Sequence, residues 1–159
     1  MYAVAGGMSH VPSTLRDDAS YALAAKEGLM PNVCFFSFRE DDRGVVATIK
    51  GRAVNPHYSN LNFRVKDLLR RWNTSDRSRI RAAISTAMHG TSRTIVFVGR
   101  NTHLSYWVQE EVKMTLENGK PCYAIRLRNT LGTKPRVLTD NGITLHAWSE
   151  SKLQRLATL

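Results

Sequence analysis

The sequence predicts an α/β fold in which a parallel sheet of five strands is covered by helices on both faces, and three observations carry that expectation. Short β-branched or aromatic runs recur along the chain, VCFFSF, TIVFV and CYAIRL being the clearest, and such runs suit strands buried on both sides. Between them lie stretches whose apolar residues stand three and four apart, the spacing of one helix face. The two kinds alternate throughout, the pattern of parallel strands joined by right-handed helical crossovers.

Taken in order, the chain supports this element by element. Ser13 to Gly28 reads as an amphipathic helix, opened by Ser13 or Thr14 with Asp17 as capping partner and stopped by Gly28. Val33 to Phe38 is the first central strand, after a Pro-Asn break. Arg39, Glu40, Asp41, Asp42 and Arg43 follow at its carboxyl end, where open α/β sheets bind ligands. Glu40 and Asp41 equally suit the first turn of a following helix, which Val46 and Ile49 continue and Asn55-Pro56 closes. Leu61 to Lys66 admits two readings, an alternating edge strand or a helix face through Val65, Leu68, Leu69 and Trp72. Regular alternation favours a strand ending near Asp67. Ser75 with Asp76 opens the next helix, carrying Ile80, Ala83, Ile84, Ala87 and Met88 to a stop at Gly90.

Thr94 to Val98 is a buried strand ended by Gly99. Ser105 is an N-cap for a helix that carries Val108, Val112 and Leu116 inward and ends at Asn118-Gly119. Trp107 and Glu111 stand four residues apart, so one turn puts ring and carboxylate on the same face. Cys122 to Leu127 is another strand, and a loop punctuated by Asn129, Gly132, Pro135 and Gly142 leads to a last strand over Ile143 to Ala147. Glu150 to Leu159 closes the chain as a short helix.

At 159 residues this is one domain's worth of chain, able to remove about two thirds of its unfolded surface from water. No apolar run approaches the roughly 18 residues of a membrane span, and MYAVAGGMSHVP lacks the basic and apolar regions of a secretory signal. A cytoplasmic location away from membranes is the expectation. Cys34 and Cys122, each inside a strand-like run, read as buried free thiols rather than a bridge. His10, His57, His89, His103 and His146 lack the paired spacing of zinc ligands, so no metal is expected. The net charge of +10 draws polyanions, including phosphate-bearing small molecules and nucleic acid. The basic residues are dispersed and no aromatic-basic recognition motif accompanies them, which makes nucleic acid the weaker partner.

VCFFSFREDDR, TIVFVGRNTHLSYWVQEEV and NGKPCYAIRL resemble the TIR-like proteins of bacterial Thoeris anti-phage defence, a branch of the Toll/interleukin-1 receptor superfamily. The likeness spans roughly Asn32 to Leu127, implying a TIR-like domain over residues 32–159 after an N-terminal helical extension over residues 1–31. It implies a flavodoxin-like three-layer sandwich with strand order 2-1-3-4-5. The strongest block is a strand, a small polar loop, then Trp, a small residue, two variable positions and Glu, here Trp107, Val108, Gln109, Glu110 and Glu111. In catalytic members that Glu is essential for cleaving the nicotinamide-ribose bond of NAD to ADP-ribose or a cyclic isomer, and the spacing carries the role onto Glu111.

NAD would be a substrate, with no cofactor required. The chemistry is coherent: nicotinamide leaves neutral, so the barrier lies in positive charge building on the ribose, which one carboxylate stabilises. By the same resemblance Phe38 and Arg39 are candidates for stacking and for phosphate or ribose contact, and Asp42 and Arg43 for shaping the loop. Asn101 and Thr102 are candidates for bonding the nucleotide, while Trp107 either touches ligand or packs to fix the helix. Read without the likeness, Glu111 is a helix-start carboxylate facing the macrodipole. Glu110, three residues before Lys113, reads as one half of a surface pair worth a few tenths of a kcal/mol. The loop from Asp67 to Asp76 commonly mediates TIR assembly, so self-association is expected, as is a downstream effector reached through a nucleotide product. The competing readings are a non-catalytic assembly module of the same fold and, more remotely, a basic nucleic-acid binder.

Overall fold

In the computed structural model, residues 32–68 and 74–159 are described. The reading of Ser13 to Gly28 as a helix, His10 and the surface around Trp72 lie outside them. The strands are β1 (Val33–Ser37), β2 (Arg64–Asp67), β3 (Arg93–Val98), β4 (Cys122–Arg126) and β5 (Leu145–His146). The helices are α1 (Arg43–Val54), α2 (Arg77–Met88), α3 (Tyr106–Glu117), α4 (Arg136–Asp140) and α5 (Glu150–Thr158). All pairings are parallel and the order is β2-β1-β3-β4-β5, as the sequence leads one to expect.

Strand alternation explains the layers, because successive side chains leave opposite faces of a sheet. Phe36, Ile95, Phe97 and Ile125 enter one apolar cluster, with Val46, Ile49 and Ala53 of α1 and Leu153, Leu156 and Ala157 of α5. Their neighbours go the other way. Phe35 meets Ile80, Ile84 and Met88 of α2, and Val96, Val98 and Ala124 meet Val108 and Val112 of α3 with Val137 and Leu138 of α4. Every residue of β3 is buried, which is why its sequence from Ile95 to Val98 is apolar without a break.

The helix boundaries follow the local chemistry. The Asp76 carboxylate accepts from the amides of Ser78 and Arg79 at the start of α2, and the Ser105 hydroxyl accepts from that of Val108 at the start of α3. Gly90 and Gly119 sit just past α2 and α3 at φ of 71° and 65°, left-handed values that an L side chain would strain. Lys66 and Lys120 donate to the carbonyls of His89 and Met88 at the end of α2, a favourable place for cations.

Three boundaries differ from the sequence expectation. The alternation of Leu61 and Phe63 belongs to irregular chain that drops both side chains into the core, at 2% and 1% exposure, before the ladder begins at Arg64. Residues 136–140, expected as loop, form the single-turn helix α4. The last strand pairs only over Leu145–His146. Cys34 is buried and Cys122 partly so, and both are free thiols. Among the described residues no helix is long and apolar enough to cross a membrane.

Candidate functional site

Buried polar side chains are few, and several lie where the carboxyl ends of β1 and β3 meet α3. Ser37, the last residue of β1, shares its strand face with Phe35 and so turns toward the α3 side. There its hydroxyl donates to Oε2 of Glu111 at 2.5 Å, both residues being 0% exposed. Glu111 therefore faces the first strand rather than bulk solvent. The turn that carries it is fixed from behind: the Thr115 hydroxyl donates to the Glu111 carbonyl at 2.7 Å and lies 2.7 Å from the Thr94 hydroxyl of β3.

The other expected site residues fall into two groups. Arg39, Asp42, Asn101 and Thr102 come together as a rim joining the segments that leave β1 and β3. Arg39 pairs with Asp41 at 2.8 Å and donates to the Asn101 carbonyl at 3.3 Å. Thr102, 0% exposed, accepts from the Gly99 amide at 2.8 Å, and its hydroxyl stands 3.5 Å from the Asp42 carboxylate. Burial raises the Asp42 carboxyl above its ordinary value and the charge of Asp41 adds to this, against the Thr102 hydroxyl and Arg39. The Asp42 carboxylate occupies the room a side chain at Gly99 would need.

Phe38 and Trp107 instead serve the core. Phe38 keeps the period of Phe36 and is 3% exposed in the same cluster, with the Arg43 guanidinium 5.9 Å from its ring centroid. It presents no open stacking face here. Trp107 packs, half-buried, against the cluster of Phe35, Leu68, Ile80 and Ile84. Thr102 uses its hydroxyl within the loop, accepting from Gly99 and facing Asp42, and so fastens the rim.

Glu110 needs correcting. Its pairing with Lys113, at 3.1 Å, is present, but the carboxylate is 1% exposed and also meets Arg81 at 3.0 Å and Arg77 at 3.4 Å from α2. Burial pushes its carboxyl up, and the hydrogen bonds from Lys113 and Arg81 with the charge of Arg77 outweigh that, leaving it below its ordinary value. Neither arginine lies near Glu110 in sequence, so the local spacing could not reveal them.

Ser37 was also missed, although its signal was present as the one hydroxyl in an otherwise apolar strand. A groove of about 500 Å³ lies at the carboxyl edge of β3 and β4, lined by Arg100, Asn129, Thr130 and Leu131, and Glu111 does not line it. Behind it, Gly132 packs so closely on Gly99 that a Cβ there would overlap the Gly99 carbonyl. Among the described residues no group of His, Cys, Asp or Glu could hold a metal ion.

A doubly wound sheet with this strand order, and a Trp-x-x-x-Glu helix turned toward its first strand, is the architecture of a TIR-like domain. The family model for the TIR-like domain of Thoeris protein ThsB matches residues 35–131, and the chain belongs to that family. Among solved structures it is similar to the TIR domain of the Toll-related receptor TRR-2 from Hydra magnipapillata. The identity is 15%, with 77% of this chain and 89% of that chain covered and a TM-score of 0.52, a likeness of fold. A looser match, at 14% identity and a TM-score of 0.40, covers 79% of this chain and 69% of the TIR domains in the activated Roq1 resistosome, which recognises the pathogen effector XopQ. Comparison with curated proteins finds no significant match.

Proposed function

We propose that this protein cleaves the bond between nicotinamide and ribose in NAD, and that it makes ADP-ribose or a cyclic isomer as an anti-phage signal read by a downstream effector. The observation that carries the reading is Glu111, which holds the motif position of a family with NAD-cleaving members and points its carboxylate at the carboxyl end of β1. In the reaction the C1′–N bond breaks and its electron pair leaves with nicotinamide, which departs neutral. The cationic sugar left behind is stabilised by the Glu111 carboxylate. Water then attacks C1′ and loses a proton to give ADP-ribose, or a nucleophile of the same molecule attacks first and closes a ring, which positioning and exclusion of water decide. NAD is substrate throughout and no cofactor takes part.

Glu111 is 0% exposed, so substrate entry requires the surrounding elements to part, as lids and loops do in many enzymes. The same burial favours a second reading, a non-catalytic TIR-like module that works by self-association. Nicotinamide release from NAD, measured by chromatography at protein concentrations that promote assembly, separates the two. Activity abolished by Glu111→Gln supports the enzyme. Absence of turnover, or turnover unchanged in Glu111→Gln, overturns it.

A further inference from the structure

We infer that Ser37 is the positioning residue for Glu111, its hydroxyl holding the carboxylate at the angle from which it meets the ribose. The inference rests on the NAD-cleaving reading and goes beyond it, because a glutamate on a helix has three side-chain torsions and nothing in the motif itself sets them. Two independent restraints converge on this one. Thr115, itself beside Thr94 of β3, takes the Glu111 carbonyl and fixes the backbone of its turn. Ser37 takes Oε2 at 2.5 Å from a strand 74 residues away in sequence and fixes the head group.

The anchor is rigid. Ser37 ends a strand hydrogen-bonded on both sides, with Ser37 opposite Val96 of β3 and Phe36 opposite Asp67 of β2. Its hydroxyl cannot swing to solvent, since the residue is 0% exposed. A carboxylate buried to this extent is costly unless it receives hydrogen bonds, and a hydroxyl donating to a charged acceptor is among the stronger neutral partners. Removing it takes away the directed hold of the strand on the Glu111 head group while leaving the carboxylate itself in place, which is the signature of a residue that acts through another.

The test compares the full chain with Ser37→Ala and Ser37→Thr. In nicotinamide release from NAD, Ser37→Ala is expected to lower kcat roughly 10- to 100-fold with KM within about twofold, and Ser37→Thr, which keeps the hydroxyl, to restore most of kcat. A purely structural serine would instead lower the unfolding temperature without separating kcat from KM. An activity-free readout accompanies it: the carboxylate stretch of Glu111 in 13C-glutamate-labelled protein, assigned by its loss in Glu111→Gln. That band is expected to move in Ser37→Ala and return in Ser37→Thr. Should Ser37→Ala fail to fold, Ser37→Cys, close in size with a far weaker donor, carries the same measurements. An unmoved band, or an unchanged kcat, overturns the inference. If the wild-type chain releases no nicotinamide, the NAD reading fails, and the role of Ser37 in holding the carboxylate is decided by the band alone.

Discussion

Glu110→Gln isolates the ion cluster that ties α3 to α2. The substitution keeps the shape of the side chain and removes its charge. The carboxylate it replaces is 1% exposed and meets Arg81, Lys113 and Arg77 at 3.0, 3.1 and 3.4 Å. Breaking a fully buried pair costs about 3–5 kcal/mol. Here the partners are 29%, 42% and 60% exposed, so water screens them and recovers part of their solvation, and about 2 kcal/mol is expected. For a chain of this size that corresponds to a fall of about 4–8 °C in Tm. The pH dependence has a definite sign. The folded pKa of Glu110 lies below its ordinary 4.5, so between the two values the unfolded chain binds more protons. The stabilisation is complete above about pH 4.5 and is lost as pH falls through the folded pKa. Differential scanning calorimetry of the wild type and Glu110→Gln from pH 7 to pH 3 should therefore show a gap that closes on acidification. A gap under 1 °C at pH 7, or one that stays constant with pH, would refute this account of the cluster.

Other expectations follow from the same geometry. Gly132→Ala places a methyl group against the Gly99 carbonyl, backbone against which nothing can yield cheaply. It should cost about 1–3 kcal/mol or more in urea unfolding, and an unchanged midpoint would mean that the loop is not seated on β3. Burial pushes the thiols of Cys34 and Cys122 up to about 12, with the Arg93 charge pulling Cys34 only partly back. At pH 8 the thiolate fraction is then on the order of 10⁻⁴, so iodoacetamide should label both only after denaturation. Rapid labelling of the native protein, followed by mass spectrometry, would contradict it. Ser105→Ala removes the cap of α3 and should cost about 1 kcal/mol, with faster amide exchange confined to the first turn of that helix.

The strands most legible in the sequence were those covered on both faces. VCFFSF and TIVFV announce themselves because neither face meets water, so both must be apolar. The start of β2 was read three residues early, though its end at Asp67 agrees, because Leu61 and Phe63 have the alternation of a strand but spend it in an irregular approach to the ladder. α4 was hidden because Pro135 and Gly142, which bracket a single turn, read locally as loop punctuation. The site divides in the same way. Glu111 was accessible through the four-residue spacing from Trp107, a local relation along one helix. The cluster around Glu110 and the bond from Ser37 arise between elements 29 to 74 residues apart, and only the fold brings them together. Phe38 is buried by the same logic, since the strand period that buries Phe36 continues one residue beyond Ser37, the last residue of the ladder.

The rim over the sheet has a mechanical consequence. Arg39 reaches the Asn101 carbonyl, Thr102 stands at the Asp42 carboxylate, and that carboxylate lies flush on Gly99. Segments stitched at three places swing as one plate, so spreading them apart is a poor way to uncover what lies beneath. Access to the Glu111 side chain then falls to the helices around it, of which α2 is itself fastened to α3 by Arg77 and Arg81 on Glu110.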